Sequence, residues 1–369
     1  MPETGRVACL VEIHKPFELR EYPVPDPEPG AILLKVARAN VCGSDLHLWR
    51  GDIDMAAYGM PLPTVLGHEV TGWVARLGKG VDTDAAGRPL REGDRVVFKY
   101  FYPCGRCRDC LRGNSAACLA SQGSIMQDPD FEPHFTGGFA DYLYLMPGHT
   151  VLKAPEHVSN EVLAGLNCGL AEVLFGLQRA QLQLGDAVVV QGCGGLGLYA
   201  TALAREMGAG HVIAVDAQDD RLALARQFGA DAAVSIQEYP TPDSRVTRVQ
   251  ELTGGWGADV VVEVVGAPIV VDEGIRMLSP GGRYVEIGNI SPGKTFAFDP
   301  SLLTVFSRAV LGVVLYTTDA LMRGLDFLSR AHQRYPFEAM NSVTYPLERI
   351  DDAFAAAERH DVIRASVVP

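Results

Sequence analysis

Apolar residues come in short runs over roughly the first 160 positions: Ile32–Ala37, Val70–Leu77, Arg95–Phe98, Ala140–Leu145 and His149–Lys153, separated by glycine and proline. Runs of this length with turn residues between them predict the strands of a β-rich barrel or sandwich. Pro23–Gly30 reads as a surface connector, because proline has no amide hydrogen for a ladder. From about Leu182 the pattern changes. Ala187–Gln191, His211–Asp216, Ala232–Ile236, Asp259–Val265 and Arg283–Ile287 predict strands rich in apolar residues throughout. Leu198–Met207, Arg221–Phe228, Arg245–Leu252 and Val270–Leu278 predict amphipathic helices between them. Strands buried on both faces and alternating with helices predict a doubly wound parallel α/β sheet. Val310–Leu315 predicts a last strand, and Asp319–Ala331 and Leu347–Glu358 predict helices in a tail expected to return to the first domain.

The 369 residues suit two domains, and 47% hydrophobic with 21% charged residues is a globular composition. A net charge of −13 argues against a partner held through nucleic-acid phosphates. A membrane span is not expected either, since the most apolar stretch, Ala187–Ala204, is interrupted by Gly192, Gly194, Gly195 and Gly197. Met1–Leu10 has no basic region followed by an apolar one, so a cytoplasmic location is expected.

In a reducing compartment eight cysteines call for a reason other than disulfides. Cys104, Cys107, Cys110 and Cys118 are spaced x2, x2 and x7. Four thiolates on one looping segment can enclose a tetrahedral ion with no open position, which makes this a structural site. An iron–sulfur cluster is the competitor, but its common cysteine run closes with a gap of three before Cys-Pro, a pattern missing here. Cys42 and His68, joined by Cys168, supply two thiolates and an imidazole, a donor set that leaves a fourth position for substrate. Asp45 is the candidate partner for the other ring nitrogen of His68.

Gly192-Cys193-Gly194-Gly195-Leu196-Gly197 lies between a predicted strand and helix, and Asp216 ends the next strand 19 residues later. Glycines let the backbone approach a pyrophosphate at a helix N-terminus, and the acid accepts from ribose hydroxyls. With Ala217 following the carboxylate, the sequence favours NAD over NADP. Cys9 and Cys193 have no such role and are expected to be small buried hydrophobes.

Gly67-His68-Glu69-x2-Gly72-x5-Gly78-x2-Val81, the four-cysteine segment and the glycine turn occur in that order. Over nearly its whole length the chain thus resembles the zinc-containing alcohol dehydrogenases of the medium-chain dehydrogenase/reductase superfamily. The resemblance implies a GroES-like catalytic domain from residues 1–169 and 314–369, with a zinc lobe at about 100–120, and an inserted Rossmann domain at 170–313. It implies two zinc ions per chain. The catalytic one would sit on Cys42, His68 and Cys168, with Glu69 as an alternate ligand and Glu172 as a rival of the wrong offset. Polyol dehydrogenases usually carry Glu at the Cys168 position, so the alcohol branch is favoured. Ser44 and His47 match a proton relay, Arg221 a contact to the adenosine ribose, and Arg364 a contact to the pyrophosphate. A homodimer or homotetramer is expected, pairing through Val310–Leu315.

Trp49–Pro63 and Ser121–Gly137 depart from common members, leaving the substrate open. Trp49, Ile53, Met55, Tyr58, Met60 and Tyr100 would offer apolar surface near the metal. An apolar or cyclic secondary alcohol is therefore expected. The alternatives are a polyol, threonine or glutathione-adduct formaldehyde dehydrogenase on the same scaffold, or, more remotely, an inactive zinc-stabilised binding protein.

Overall fold

A computed structural model describes residues 3–121, 126–341 and 343–369. The chain first forms β1 (Thr4–Leu10), β2 (Glu18–Pro23), β3 (Ile32–Asn40), β4 (Thr64–Val65), β5 (Glu69–Leu77), β6 (Arg95–Phe98), β7 (Tyr142–Leu145) and β8 (Val151–Lys153). It continues through β9 (Ala187–Gln191), β10 (His211–Asp216), β11 (Ala232–Ser235), β12 (Ala258–Glu263), β13 (Leu278–Glu286) and β14 (Ala309–Gly312), and ends with β15 (Val343–Pro346) and β16 (Ala365–Val368). Two units result, Met1–Ala171 with Leu315–Pro369, and Glu172–Val314.

In the first unit β3 is the hub. It pairs antiparallel with β5 along its length, with β7 at Ile32–Lys35 and with β16 at Ala39–Asn40. The sheet runs β15-β16-β3-β5-β6-β8, and a smaller one runs β2-β1-β4. Ile32, Leu34 and Val36 alternate along β3 and pack with Val70, Val96, Phe98, Phe139 and Phe354, the last brought in by helix Ile350–Glu358. The register sets Asn40 opposite Glu69, so the residues just after β3 and just before β5 emerge side by side.

The second unit is a six-stranded parallel sheet in the order β11-β10-β9-β12-β13-β14. Val188–Val190 and Val260–Val262 are fully buried, because helices cover both faces. Strand order reverses between β9 and β12, which opens a crevice at their carboxyl ends.

Boundaries differ from the sequence pattern where backbone rather than side chains decides. The helix expected from Leu198 begins at Gly195, because its first turn consists of the glycines themselves. β13 begins at Leu278 rather than Arg283, pairing once with Ala258 before an irregularity and resuming at Arg283. β1, β2 and helix Gly43–Arg50 had no clear signature. That helix has eight residues and buries only Asp45, Leu46 and Leu48.

Candidate metal centres and nucleotide turn

Cys42 ends the extended segment after β3 and caps helix Gly43–Arg50. Asp45, three residues on, accepts the Cys42 amide at 2.9 Å through Oδ2. Its Oδ1 accepts the Gly67 amide at 3.2 Å and lies 3.3 Å from His68 Nδ1. A wholly buried carboxylate thus ties the helix start to the Gly67–His68 turn. Gly67 has φ 93°, and a Cβ there would lie 2.9 Å from the Phe139 nitrogen, so no other residue fits.

Cys168 arrives by a different route. It sits in a single π-helical turn, Leu166–Leu170, whose Asn167 is fully buried. The Asn167 amide donates to the His68 carbonyl at 2.8 Å and accepts from the Val70 amide at 3.2 Å. This two-point clasp holds the turn against β5. The Tyr316 hydroxyl donates to the Asn167 carbonyl from behind.

The outcome is a buried cluster in which the donor atoms of Cys42, His68 and Cys168 lie within 4.8 Å of one another. The two sulfurs are 3.9 Å apart, far beyond a disulfide bond of about 2.05 Å. Hydrogen bonding with Cys168 holds the Cys42 thiol well below its usual value, against the effect of burial. Burial pushes His68 down, but the neighbouring Asp45 and Cys42 charges outweigh it and raise the ring to about 10. A site that gathers negative charge out of water around soft donors fits a divalent cation, and the donor set is that of zinc. Ser44 Oγ stands 3.3 Å from His68 Nε2.

Glu69 and Arg364 pair with each other. Glu69 is outside the donor cluster. Its carboxylate accepts from Asn40 Nδ2 at 3.2 Å and pairs with Arg364, which is 4% exposed. Arg364, expected to contact the pyrophosphate, is the buried counter-ion of Glu69 here, because β16 lies beside β3 and delivers it there.

The second cluster gathers Cys104, Cys107, Cys110 and Cys118. Backbone amides of Cys104 and Cys107 reach the sulfurs of Cys118 and Cys104 at 3.3 Å. The Cys104 amide chiefly brings the Cys118 thiol down to about 6. Amides aimed at sulfur favour thiolates, the form that binds metal.

In the second unit Gly192 takes φ 94° and Gly194 precedes helix Gly195–Glu206. A Cβ on Gly197 would fall 1.8 Å from the Gly192 carbonyl oxygen. Leu196 lies in the first turn of that helix, whose amides have no partner within it. Asp216 accepts the Cys193 amide at 2.6 Å and the Gln218 amide at 2.9 Å, which fixes its carboxylate at the edge of the turn. Arg221, in the first turn of helix Asp219–Gln227, is half-buried. Burial pushes the Cys193 thiol up, as a small hydrophobe requires.

A cavity of about 630 Å³ in the first unit is lined by Gly67, His68, Tyr100, Tyr102, Phe131 and Met146, among others. Tyr100 packs on the His68 ring with centroids 4.8 Å apart. Gln127, Asp128, Phe131, Glu132 and Pro133, from the segment Ser121–Gly137, also line it. Of the expected pocket residues, Tyr100 is in this lining, whereas Trp49, Ile53, Met55 and Met60 are not. Trp49 stacks on His14 at 4.5 Å, donates to the Lys15 carbonyl at 3.0 Å and leans on Phe354. Ile53 packs against the first unit's core, and Met55 is part of it. The side chain of Tyr58 lies outside the described residues.

Asn167 and Asp52 were not singled out in the sequence. Asp52 contacts His47, and its only local signal is the Gly51 that precedes it.

A parallel dinucleotide-type sheet joined in one chain to a β-rich unit with two sulfur-rich donor clusters defines a zinc-type dehydrogenase. Residues 28–156 match the alcohol dehydrogenase GroES-like domain, and residues 195–330 match the zinc-binding dehydrogenase domain. The chain is 35% identical to 5-exo-hydroxycamphor dehydrogenase of Pseudomonas putida over 355 residues, 96% of this chain and 95% of that one. It is 32% identical to an L-threonine 3-dehydrogenase of Bacillus velezensis over 76% of each. An alcohol dehydrogenase from Thermotoga maritima superposes with a TM-score of 0.93 at 27% identity, over 100% of both chains. Benzyl alcohol dehydrogenase of Acinetobacter calcoaceticus superposes with 0.85 at 26% identity, over 99% of both. The chain belongs to the zinc-containing alcohol dehydrogenases of the medium-chain dehydrogenase/reductase superfamily, and it is an oxidoreductase of that type.

Proposed function

We propose that this oxidoreductase interconverts an uncharged, apolar or cyclic secondary alcohol and its ketone with NAD. The observation that carries the reading is the cavity. It has His68 in its lining, its walls are largely aromatic and aliphatic, and apart from His68 its charged lining residues are the acids Asp128 and Glu132. A substrate carboxylate or phosphate would meet like charge at Asp128 and Glu132, with no lysine or arginine among the described residues of the lining to pair with it. This favours the chemistry named for the hydroxycamphor relative over that of the threonine dehydrogenases, since an amino acid carries a carboxylate. Initial rates over a panel of cyclic and benzylic alcohols, a polyol, threonine and S-hydroxymethylglutathione test it. Cyclic alcohols are expected to give the highest kcat/KM, and a preference for threonine would overturn the reading.

Cys42, Cys168 and His68 would hold the catalytic zinc, with Asp45 beside Nδ1 directing Nε2 to the metal. The ion would supply Lewis acidity that makes a hydroxyl proton removable near neutral pH. Ser44 would take that proton and His47 would pass it to solvent. The four-cysteine cluster would hold a second, structural zinc. NAD, bound at Gly192, Gly194, Gly195, Leu196 and Gly197, would supply the hydride acceptor.

Asp216, with Arg221 close by, would choose between cofactors. Both carboxylate oxygens are oriented by backbone amides, so their remaining lone pairs could accept from ribose hydroxyls, and a 2′-phosphate would be repelled. Asp216→Asn is expected to raise the ratio of kcat/KM for NADP to that for NAD about tenfold or more, since a hydrogen bond to a charged group contributes about 1.5–3 kcal/mol. An unchanged ratio would place the discrimination elsewhere.

We further propose a homodimer or homotetramer in the cytoplasm. All eight cysteines are free thiols, and among the described residues no helix is long and apolar enough to cross a membrane. β14 is an edge strand, with Val310 44% exposed and Phe306 and Val314 also open to solvent. Light scattering is expected to give twice the chain mass or more, with Val310→Lys shifting it toward the monomer. A wild-type monomer would refute the interface.

A further inference from the structure

Helix Gly43–Arg50 does not simply stop. Gly51 turns left-handed at φ 79°, and its amide donates to the Leu48 carbonyl at 3.1 Å. The Asp52 amide then donates to the His47 carbonyl at 2.9 Å, folding the chain back over the helix's last turn. This cap carries the Asp52 carboxylate to His47, with Oδ2 2.8 Å from Nδ1. A Cβ at Gly51 would meet Ile13 Cγ2 at 2.8 Å, so the turn is restricted to glycine on two counts. Arg50 Nη1 lies 3.9 Å from the same carboxylate, while its Nε donates to Glu358 at 2.6 Å. The His–Asp pair is partly shielded, at 19% and 27% exposure.

We propose that Asp52 is a positioning residue for proton transfer, fixing His47 as the tautomer protonated on Nδ1. The inference rests on the reading of His47 as the relay base. An ionised carboxylate only accepts hydrogen bonds, and a neutral imidazole carries one N–H. At 2.8 Å from Oδ2 that hydrogen belongs on Nδ1, so the lone pair that takes a proton is on Nε2. When Nε2 binds a proton, the ring becomes a cation beside an anion; when it gives the proton to water, the neutral ring returns to the same tautomer. An asparagine in this place can donate its amide hydrogen to Nδ1 and so favour the opposite tautomer. The same change in a Ser-His-Asp triad keeps the geometry and loses activity for that reason.

The test compares Asp52→Asn, His47→Gln and the double variant as metal-loaded enzymes, beside long-range proton–nitrogen NMR of the His47 ring, assigned by its loss in His47→Gln. Asp52→Asn is expected to lower kcat about tenfold, a part of what a placed base contributes, with both KM values within about twofold. The double variant should be no slower than His47→Gln alone. The ring should carry its proton on Nδ1 in the wild type and on Nε2 in Asp52→Asn. A wild-type ring protonated on Nε2, or a loss from Asp52→Asn that persists undiminished in the His47→Gln background, would overturn the proposal. So would an unchanged kcat in Asp52→Asn when His47→Gln is slow. An unchanged kcat in His47→Gln would instead overturn the relay reading, and the role of Asp52 with it.

Discussion

Cys42→Ala is expected to lower turnover roughly 1,000-fold or more and to reduce bound zinc from two ions per chain to one. The size follows from the donor set. Cys42, His68 and Cys168 are three atoms held within 4.8 Å, and removing one leaves two ligands for an ion that takes three from the protein at a catalytic site. Lewis acidity at the transition state is worth several kcal/mol, and each 1.36 kcal/mol is tenfold in rate. The loss should be confined. The other sulfur cluster uses none of these residues, and the glycine turn belongs to the second unit, so the remaining zinc and NADH affinity should persist. Cys42→Ser keeps the shape of the side chain with a harder donor and should fall between the two. Full activity with one zinc in Cys42→Ala would remove the metal from the chemistry altogether.

What the sequence disclosed follows how locally each feature is encoded. The four-cysteine cluster spans fifteen positions and the glycine turn six, so spacing alone displays them. In the other donor set Cys42 and Cys168 are 126 residues apart. What joins it is the Asn167 clasp onto β5, nearly a hundred residues away along the chain. One buried asparagine has no periodicity to betray it. Trp49 and Arg364 show the converse. An aromatic near a metal ligand and an arginine near the C-terminus invite ligand-binding roles, and each also has a partner that only the fold supplies, Phe354 for the first and Glu69 for the second. The parallel strands were legible because full burial makes them continuously apolar, whereas β2 is a largely exposed strand with three charged residues in six and was not.

Gly197→Ala is expected to weaken NADH binding about 100-fold and to lower Tm by several degrees, while both zinc ions remain bound. The added Cβ would lie 1.8 Å from the Gly192 carbonyl oxygen, roughly half the distance at which two such atoms rest, and backbone atoms cannot rotate aside. Helix Gly195–Glu206 must then move from β9. Its own hydrogen bond from Thr201 Oγ1 to the Gly197 carbonyl, at 2.8 Å, ties the next turn to the same displacement. Forced overpacking of this kind costs about 1–3 kcal/mol of stability. The same shift carries the helix amides away from where a pyrophosphate would accept them, and about 2.7 kcal/mol of lost binding is 100-fold. Gly194→Ala separates the two effects. Its Cβ meets no protein atom within 4 Å, so Tm should stay within about 1 °C while any loss of NADH affinity comes from the ligand itself. Thermal melts and NADH fluorescence titrations of both variants decide the matter. If Gly197→Ala keeps the wild-type affinity despite a lowered Tm, the dinucleotide does not rest on this turn.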